Sequence, residues 1–239
     1  MIIKTLLSPL NVDELYFTNK TTVVIDVLRA TTTIVTALQN GAKEIIPVSS
    51  IEFAMKVSGD TFSGQTLLAG ERNTKKIDGF SLGNSPLEYK PEIINGKSIV
   101  FFTTNGSKAI VKAKYSSELL ISCFLNTKSI ANQVSKNSEV IILCSGNNGL
   151  FSLEDSVCAG DLIYELKTLI DDVKLDDASK TCLFLYKKNK KRLKKMLMET
   201  EHGMKLYDQG FKKDIVFASQ KSIFNCIPIY DTGSIKLLK

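Results

Sequence analysis

The sequence has no tryptophan, a single histidine and only five cysteines. A zinc site needs clustered cysteine or histidine ligands, so the lone His202 and the scattered cysteines exclude the usual zinc arrangements. An odd number of cysteines favours reduced thiols over a disulfide framework, which predicts a cytoplasmic protein. The first residues lack the pattern of a signal peptide, and no apolar run approaches the roughly 18 residues of a membrane span. We therefore expect no membrane partner.

The charge is concentrated in one short segment. The chain has 239 residues, 44% hydrophobic and 23% charged, and this composition excludes a disordered protein. Its net charge of +6 comes from a basic run at 187–195, because the other residues are close to neutral. Leu193, Met196 and Leu197 have the spacing of a helix face turned to a core. Only Tyr186 is near enough to stack on bases, so we expect a solvated helix face and no nucleic-acid partner.

Short apolar segments alternate with helical patterns along the chain. The predicted strands are 23–27, 44–48, 66–69, 98–103, 118–123 and 139–144, and the predicted helices are 30–40, 107–114, 127–136 and 154–170. Strands that alternate with helices indicate βαβ units. We therefore predict an α/β fold with three layers, α/β/α, around a mainly parallel or mixed sheet.

Residues 70–91 interrupt this alternation, and a loop of about 20 residues inside a domain is usually functional or disordered. Its apolar residues, among them Phe80 and Tyr89, argue against disorder. Beyond residue 171 the pattern is mainly helical, with strand-like segments at 214–219 and 227–230. We expect a single domain over 1–239 and leave open a division into two lobes.

Polar residues follow several predicted strands, where parallel α/β sheets bind their ligands. They are Asp26, Arg29, Glu71, Arg72, the turn at 103–107, the turn at 145–149, Glu154 and Asp155. Each alone fits a helix cap or a tight turn. Together they combine carboxylates, which suit Mg²⁺, with arginines for phosphate or sulfonate oxygens and main-chain amides for anions. This mixture indicates a small phosphorylated acid as substrate.

Several phosphate-handling mechanisms are excluded. The chain has no P-loop motif, and no cysteine is followed by arginine at the spacing of cysteine phosphatases. Leu28 occupies the second acid position of an Asp-x-Asp motif after Asp26, and one histidine does not suit a histidine phosphatase. Metal-assisted attack by water or by a carboxylate remains.

Five segments resemble the signature segments of the 2-phosphosulfolactate phosphatase family. They are 26–33, 69–72, 79–86, 103–107 and 151–155, and His202, Gly203, Gly210 and Asp214 resemble its C-terminal segment. The similarity covers nearly the whole chain in order. Ser81, Ser107 and Ser145 differ from the residues usual in the family. The resemblance implies a family-specific α/β/α topology and a Mg²⁺-dependent phosphatase of coenzyme M biosynthesis, which converts 2-phospho-3-sulfolactate to 3-sulfolactate and phosphate.

The resemblance and the site chemistry together suggest residue roles. Predicted catalytic residues are Asp26, Arg29, Arg72 and Asn105. Predicted Mg²⁺ ligands are Asp26, Glu154 and Asp155, with Glu71 acting through water and Asp26 alternatively as nucleophile. Predicted substrate-binding residues are Arg29, Glu71, Arg72, Asn84, Ser85, Thr104, Asn105, Gly106 and Ser107. Cys144 is expected only to pack.

The sequence is also compatible with three other hypotheses. One is a Mg²⁺-dependent phosphatase of another small phosphorylated 2-hydroxy acid, and another is a nucleic-acid-binding module that uses the basic run. The third is a non-catalytic protein that binds such acids. A homo-oligomeric state is also open.

Overall fold

The computed structural model describes residues 1–61 and 65–238. The strands of this part are β1 (Ile2–Leu6), β2 (Thr21–Ile25), β3 (Glu44–Val48), β4 (Thr66–Arg72), β5 (Lys75–Lys76), β6 (Ser98–Phe102), β7 (Glu118–Ser122), β8 (Glu139–Cys144), β9 (Lys174–Leu175), β10 (Pro228–Asp231) and β11 (Ser234–Leu237). The helices are α1 (Ala30–Gln39), α2 (Ile51–Thr61), α3 (Pro91–Ile94), α4 (Gly106–Lys112), α5 (Thr127–Val134), α6 (Leu153–Leu169), α7 (Asp177–Asn189), α8 (Leu193–Glu199), α9 (Glu201–Asp208) and α10 (Lys212–Ala218). Short 3₁₀ helices cover Glu14–Phe17 and Pro86–Glu88.

The strands form one mixed sheet in the order β5-β4-β6-β3-β11-β10-β7-β2-β8-β1-β9. Two groups pair in parallel, β4-β6-β3 and β7-β2-β8-β1-β9. The hairpin β10–β11 lies between them and pairs antiparallel with β7 on one side and β3 on the other. The predicted α/β class with a mixed sheet is confirmed, and the C-terminal hairpin is what makes the sheet mixed.

Strand β2 shows why the sheet is covered on both faces. All five of its residues are buried, and it pairs in parallel with β7 and β8. Side chains alternate between the faces of a strand. Val23 and Ile25 accordingly join the core that contains Leu162 of α6, whereas Val24 joins the core that contains Ile34 of α1. The predicted three-layer arrangement follows from this alternation.

The strand-like structure predicted for 214–219 is wrong, because this segment lies largely in α10. Asp214, Ile215 and Ala218 are buried, and their spacing is that of one helix face. Strands β1, β5, β9 and β11 were not predicted, whereas β10 agrees with the strand-like segment at 227–230. In the irregular segment at 70–91, Phe80 and Tyr89 are buried, as expected of an ordered loop.

The basic run does not form one helix, because it covers the end of α7 and the start of α8. Leu193, Met196 and Leu197 are buried, which confirms that this apolar face packs on the core. All five cysteines are free and buried. Among the described helices, none combines the length and the apolar character that crossing a membrane requires.

Gly160 sets how closely α6 and α7 pack. A Cβ atom at this position would lie 2.0 Å from the Cys182 carbonyl oxygen and 2.7 Å from the Tyr186 Cβ. We expect Gly160→Ala to force the helices apart and to lower the free energy of unfolding by about 1–3 kcal/mol, measured by urea denaturation. Lys188→Ala, on an exposed position of α7, is the control. Equal stability of the two variants would contradict this packing constraint.

Candidate active site

Asp26 follows the last residue of β2 and closes the start of α1. Its Oδ1 accepts a hydrogen bond from the Ala30 amide at 3.2 Å, and its own amide donates to the Thr31 hydroxyl at 3.0 Å. Gly106 of α4 packs against its other oxygen, because a Cβ there would lie 2.5 Å from Asp26 Oδ2 and 2.4 Å from the Ala30 Cβ. The two helix starts therefore meet at this carboxylate, and Gly106 allows the close approach.

Asp155, in the first turn of α6, forms hydrogen bonds with residues that follow β2 and β8. Its Oδ1 accepts from the Val27 amide at 2.9 Å, and its Oδ2 accepts from the Ser145 hydroxyl at 3.0 Å and the Gly146 amide at 3.2 Å. Both carboxylate oxygens are therefore engaged by donors of the chain itself. The Ser145 hydroxyl also lies within hydrogen-bonding reach of Asp26, so it links the two acids.

These carboxylates share a poorly solvated site, and this makes their charged forms unfavourable. Burial, with a smaller contribution from the Glu71 and Glu154 charges, raises the pKa of Asp26 to about 7, although hydrogen bonds from Ser145 and Ala30 lower it. Burial also raises the pKa of Asp155 well above its usual range, and the charge of Asp26 adds to this effect. A cation placed here would relieve the repulsion among these acids.

Arg29 is held by partners distant in the sequence. Its Nη1 donates to Asp214 Oδ2 at 2.7 Å, and its Nη2 donates to the Thr74 carbonyl at 3.0 Å. The guanidinium lies 4.1 Å from the centre of the Phe211 ring. Asp214 also accepts from the Ser85 hydroxyl at 2.8 Å. Ser85, a predicted substrate-binding residue, thus contacts the carboxylate that fixes Arg29.

Glu71 and Arg72 are consecutive in β4, but their side chains lie in different parts of the structure. Glu71 is buried, and its carboxylate accepts from the Thr104 amide at 2.7 Å and the Thr74 amide at 2.6 Å. Arg72 is exposed and lines a separate cleft that includes Ser49 and Phe102. Successive strand residues point to opposite faces, so the structure does not bring the two predicted residues together.

A narrow cavity lies between the strand ends. It is lined by Asp26, Leu28, Arg29, Glu71, Thr74, Asn84, Thr103, Asn105 and His202. The volume open to the centre of a water molecule is about 10 Å³, which is room for one water molecule or a bare ion. The Asn84 Oδ1 atom is buried and has no hydrogen-bond partner among the described residues. An unpaired buried acceptor calls for a donor or a cation.

The three predicted Mg²⁺ ligands do not form one cluster. Only Asp26 of the three lines the cavity. In the described ranges no group of three or more acidic, histidine or cysteine side chains is arranged to hold a metal ion. Glu154 Oε1 lies instead 3.8 Å from His202 Nδ1, and burial raises the pKa of Glu154. A metal at the cavity would therefore need oxygen ligands in addition to the Asp26 carboxylate, from residues other than Glu154 and Asp155.

Some residues of the turn at 103–107 line the cavity or the clefts beside it, whereas others stabilise the turn itself. Thr103 and Ser107 exchange hydrogen bonds through their amides and hydroxyls, each at 2.9 Å, which fixes the start of α4. Asn105 lines the cavity, and its Oδ1 accepts from the Asn148 amide at 3.1 Å. Thr104 borders the open clefts outside the cavity. Ser107 is therefore engaged in the turn itself.

Sequence reasoning gave no role to four cavity residues, Leu28, Thr74, Thr103 and His202. His202 and Asp214 were noted only in the C-terminal segment of the family resemblance. The lone histidine was the single available signal, since no local pattern connects α9 with a strand end. The predicted residues that do meet at the cavity are Asp26, Arg29, Glu71, Asn84 and Asn105.

Fold and site together define an α/β enzyme in which buried carboxylates and a fixed arginine meet at the carboxyl ends of parallel strands. A family model described as 2-phosphosulpholactate phosphatase matches residues 7–233. The chain therefore belongs to the 2-phosphosulfolactate phosphatase family, as the sequence resemblance indicated.

Curated relatives agree with this membership over almost their whole length. A protein of Caldanaerobacter subterraneus subsp. tengcongensis is 43% identical over 218 residues, which are 91% of this chain and 90% of the relative. A protein of Clostridium novyi is 41% identical over 230 residues, 95% of this chain and 96% of the relative. A protein of Clostridium acetobutylicum is 35% identical over 236 residues, 98% of this chain and 100% of the relative. Each is named a probable 2-phosphosulfolactate phosphatase.

His202 should stay neutral under ordinary conditions. Burial, together with the nearby charge of Arg29, lowers its pKa to about 4. As His202 is the only histidine, its ring carbon-bound protons give an unambiguous NMR signal. We expect no titration of this signal between about pH 8 and pH 5.5 in the folded protein, and a midpoint of about 6.5 in urea. A folded-state midpoint of about 6.5 would contradict the buried placement.

The same shift affects stability with a definite sign. The unfolded chain binds the proton more tightly than the folded chain, so stability is unaffected by His202 above the unfolded pKa and decreases as pH falls towards about 4. This contribution should disappear in His202→Gln, measured by urea denaturation at a series of pH values.

The Arg29–Asp214 pair should be costly to break. Both side chains are buried, so Asp214→Asn leaves the guanidinium without its counter-charge while keeping the side-chain shape. We expect a loss of about 3–5 kcal/mol in the free energy of unfolding. Asp177→Asn, which removes the exposed partner of Lys180, is the control and should change the unfolding midpoint little. Similar effects of the two variants would argue against a constraint from the buried pair.

Proposed function

We propose that this protein hydrolyses 2-phospho-3-sulfolactate to 3-sulfolactate and phosphate with the help of Mg²⁺. Family membership over residues 7–233 is the observation that carries the proposal. The family-like segments also contribute Asp26, Arg29, Glu71, Asn84 and Asn105 to one cavity. The sequence resemblance assigns this reaction to coenzyme M biosynthesis, and the proposal includes that assignment.

The donors at the cavity suit a hard cation. Asp26 supplies a buried carboxylate and Asn84 supplies an amide oxygen without a partner among the described residues. Mg²⁺ prefers oxygen ligands and usually keeps several waters, so one or two protein ligands are sufficient. We assign Asp26 and Asn84 as its ligands. When bound, Mg²⁺ would supply charge neutralisation at the phosphoryl oxygens and a more acidic water.

Glu154 and Asp155 fit positioning roles better than ligation. Asp155 accepts hydrogen bonds from Val27, Ser145 and Gly146, which fixes the main chain directly after Asp26 and directly after β8. Glu154 Oε1 lies 3.8 Å from His202 Nδ1 of α9. Attack by water rather than by Asp26 is the form of the reaction that we favour, because Asp26 is then free to hold the cation.

Arg29 is the group that we assign to anion binding. Guanidinium has five N–H donors, and Arg29 uses two of them on Asp214 and Thr74 among the described residues. The others are available to phosphoryl or carboxylate oxygens of a substrate. Because Asp214 and the Phe211 ring hold the guanidinium in one orientation, little conformational entropy is lost on binding.

Asp26→Asn is the direct test. We expect kcat for 2-phospho-3-sulfolactate to fall on the order of 10²–10³-fold, with weaker Mg²⁺ binding in a calorimetric titration of the folded variant. Asp171→Asn, at an exposed position, is the control and should keep wild-type turnover. Near-normal phosphate release by Asp26→Asn would contradict the assignment.

A substrate panel tests the chemistry of the reaction. The wild-type protein is assayed for phosphate release from 2-phosphosulfolactate, phospholactate, phosphoglycolate and phosphoglycerate, with Mg²⁺ and with a chelator. We expect the highest kcat/KM for phosphosulfolactate and loss of activity in chelator. Preference for another acid would favour the related-phosphatase alternative, and no release from any of them would favour a binding protein.

A further inference from the structure

The cavity around Asp26 is too small for the whole proposed substrate. Its volume of about 10 Å³ holds one water molecule or ion. The proposed substrate carries a phosphate, a carboxylate and a sulfonate on a three-carbon chain. Most of it must therefore lie in an open space that shares a wall with the cavity.

Two open clefts lie at this edge of the sheet. One, of about 380 Å³, is lined by Pro9, Leu10, Asn11, Thr104, Asn105, Lys108, Lys112, Ser145, Asn148 and Gly149, and is called here the Lys108 cleft. The other, of about 370 Å³, contains Arg72 and is called here the Arg72 cleft; Thr104 and Lys108 line both clefts. Asn105 lines both the cavity and the Lys108 cleft, whereas the Arg72 cleft shares no lining residue with the cavity. Ser145 of the Lys108 cleft is also the residue that links Asp26 and Asp155.

The charge of the Lys108 cleft is unbalanced. Lys108 and Lys112 lie four residues apart on α4, and like charges at this spacing repel each other. No carboxylate lines the cleft, and neither lysine forms an ion pair within the described part of the chain. The Arg72 cleft, which Lys108 also lines, differs because it includes the Glu52 carboxylate and lacks Lys112. An anion in the Lys108 cleft would offset the repulsion between the two lysines.

We propose that Lys108 and Lys112 form the subsite that binds the sulfonate of the substrate. This inference rests on the proposed function. The sulfur is one bond farther from the phosphorus than the carboxylate carbon is, so the sulfonate is the anion that reaches farthest from the cavity. An ammonium group acts as a point charge without a fixed fork, which suits the three equivalent oxygens of a sulfonate. The two lysines thereby determine specificity and take no part in the chemical step.

The double variant Lys108→Ala, Lys112→Ala tests the subsite. We expect KM for 2-phosphosulfolactate to rise about tenfold or more, because charged hydrogen bonds are lost, while kcat changes little. Phospholactate, which lacks the sulfonate, should lose much less, so the preference between the two substrates decreases. An unchanged KM, or equal losses with both substrates, would overturn the subsite.

Two further variants separate a local effect from general charge and from folding. Lys191→Ala, Lys194→Ala removes the same charge from exposed positions in the basic run, and it should leave both KM values unchanged. Lys108→Arg, Lys112→Arg keeps the charge and should retain most of the sulfonate preference. The two alanine double variants can be compared directly. If the Lys191, Lys194 variant loses as much of the sulfonate preference as the Lys108, Lys112 variant does, the net positive charge of the protein attracts the substrate, and this result would contradict the subsite.

Binding of 3-sulfolactate, measured by calorimetry without turnover, distinguishes failure of the subsite from failure of the proposed function. Weaker binding by the Lys108, Lys112 double variant than by the wild-type protein supports the subsite even if the wild-type protein hydrolyses no phosphosulfolactate, and only the proposed function then fails. Wild-type hydrolysis together with equal binding by both proteins overturns the subsite alone. Absence of wild-type hydrolysis and of sulfolactate binding overturns both.

Discussion

The buried ion pair between Arg29 and Asp214 is the interaction on which the arrangement of the site depends. A guanidinium removed from water needs a counter-charge and satisfied donors, and the chain provides these from Asp214, the Thr74 carbonyl and the Phe211 ring. The partners come from α10, from the β4–β5 turn and from the residue before α10. The pair therefore connects α10 to the carboxyl end of β2, beside the cavity that Arg29 and Thr74 line.

A second constraint is that Asp26 and Asp155 lie close together in the same poorly solvated site. Asp26 and Asp155 are both buried, and the structure stabilises their positions with main-chain amides and with the shared Ser145 hydroxyl. These hydrogen bonds do not offset the desolvation, since the pKa of each carboxyl group is raised. Centres that carry such unfavourable electrostatics are typical of functional sites. In this protein the Asp26 carboxyl group, with its raised pKa, lies near Asn84, whose Oδ1 atom has no hydrogen-bond partner among the described residues, and these groups together favour a cation.

The fold was predictable where burial alone decides the structure. The bounds predicted for 44–48 and 139–144 agree with β3 and β8, because short, mainly apolar runs of this kind form strands in a parallel sheet that helices cover. The segment at 214–219 was mispredicted because its Ile-Val-Phe run has strand propensity, whereas packing of Asp214 and Ile215 makes it a helix. The position of the β10–β11 hairpin between two parallel groups depends on pairing with β3 and β7, which no local pattern encodes.

The sequence by itself determined the chemistry available at the strand ends and the family to which the chain belongs. Asp26, Arg29, Glu71 and Asn105 could be singled out because polar residues after buried strands meet at one edge of a parallel sheet. Tertiary structure alone decided which of them share a cavity. It separated Arg72 from Glu71 because consecutive strand residues point to opposite faces. It also brought His202 and Asp214 to Arg29 and Glu71 from more than a hundred residues away, and contacts of that range depend on how the whole chain packs.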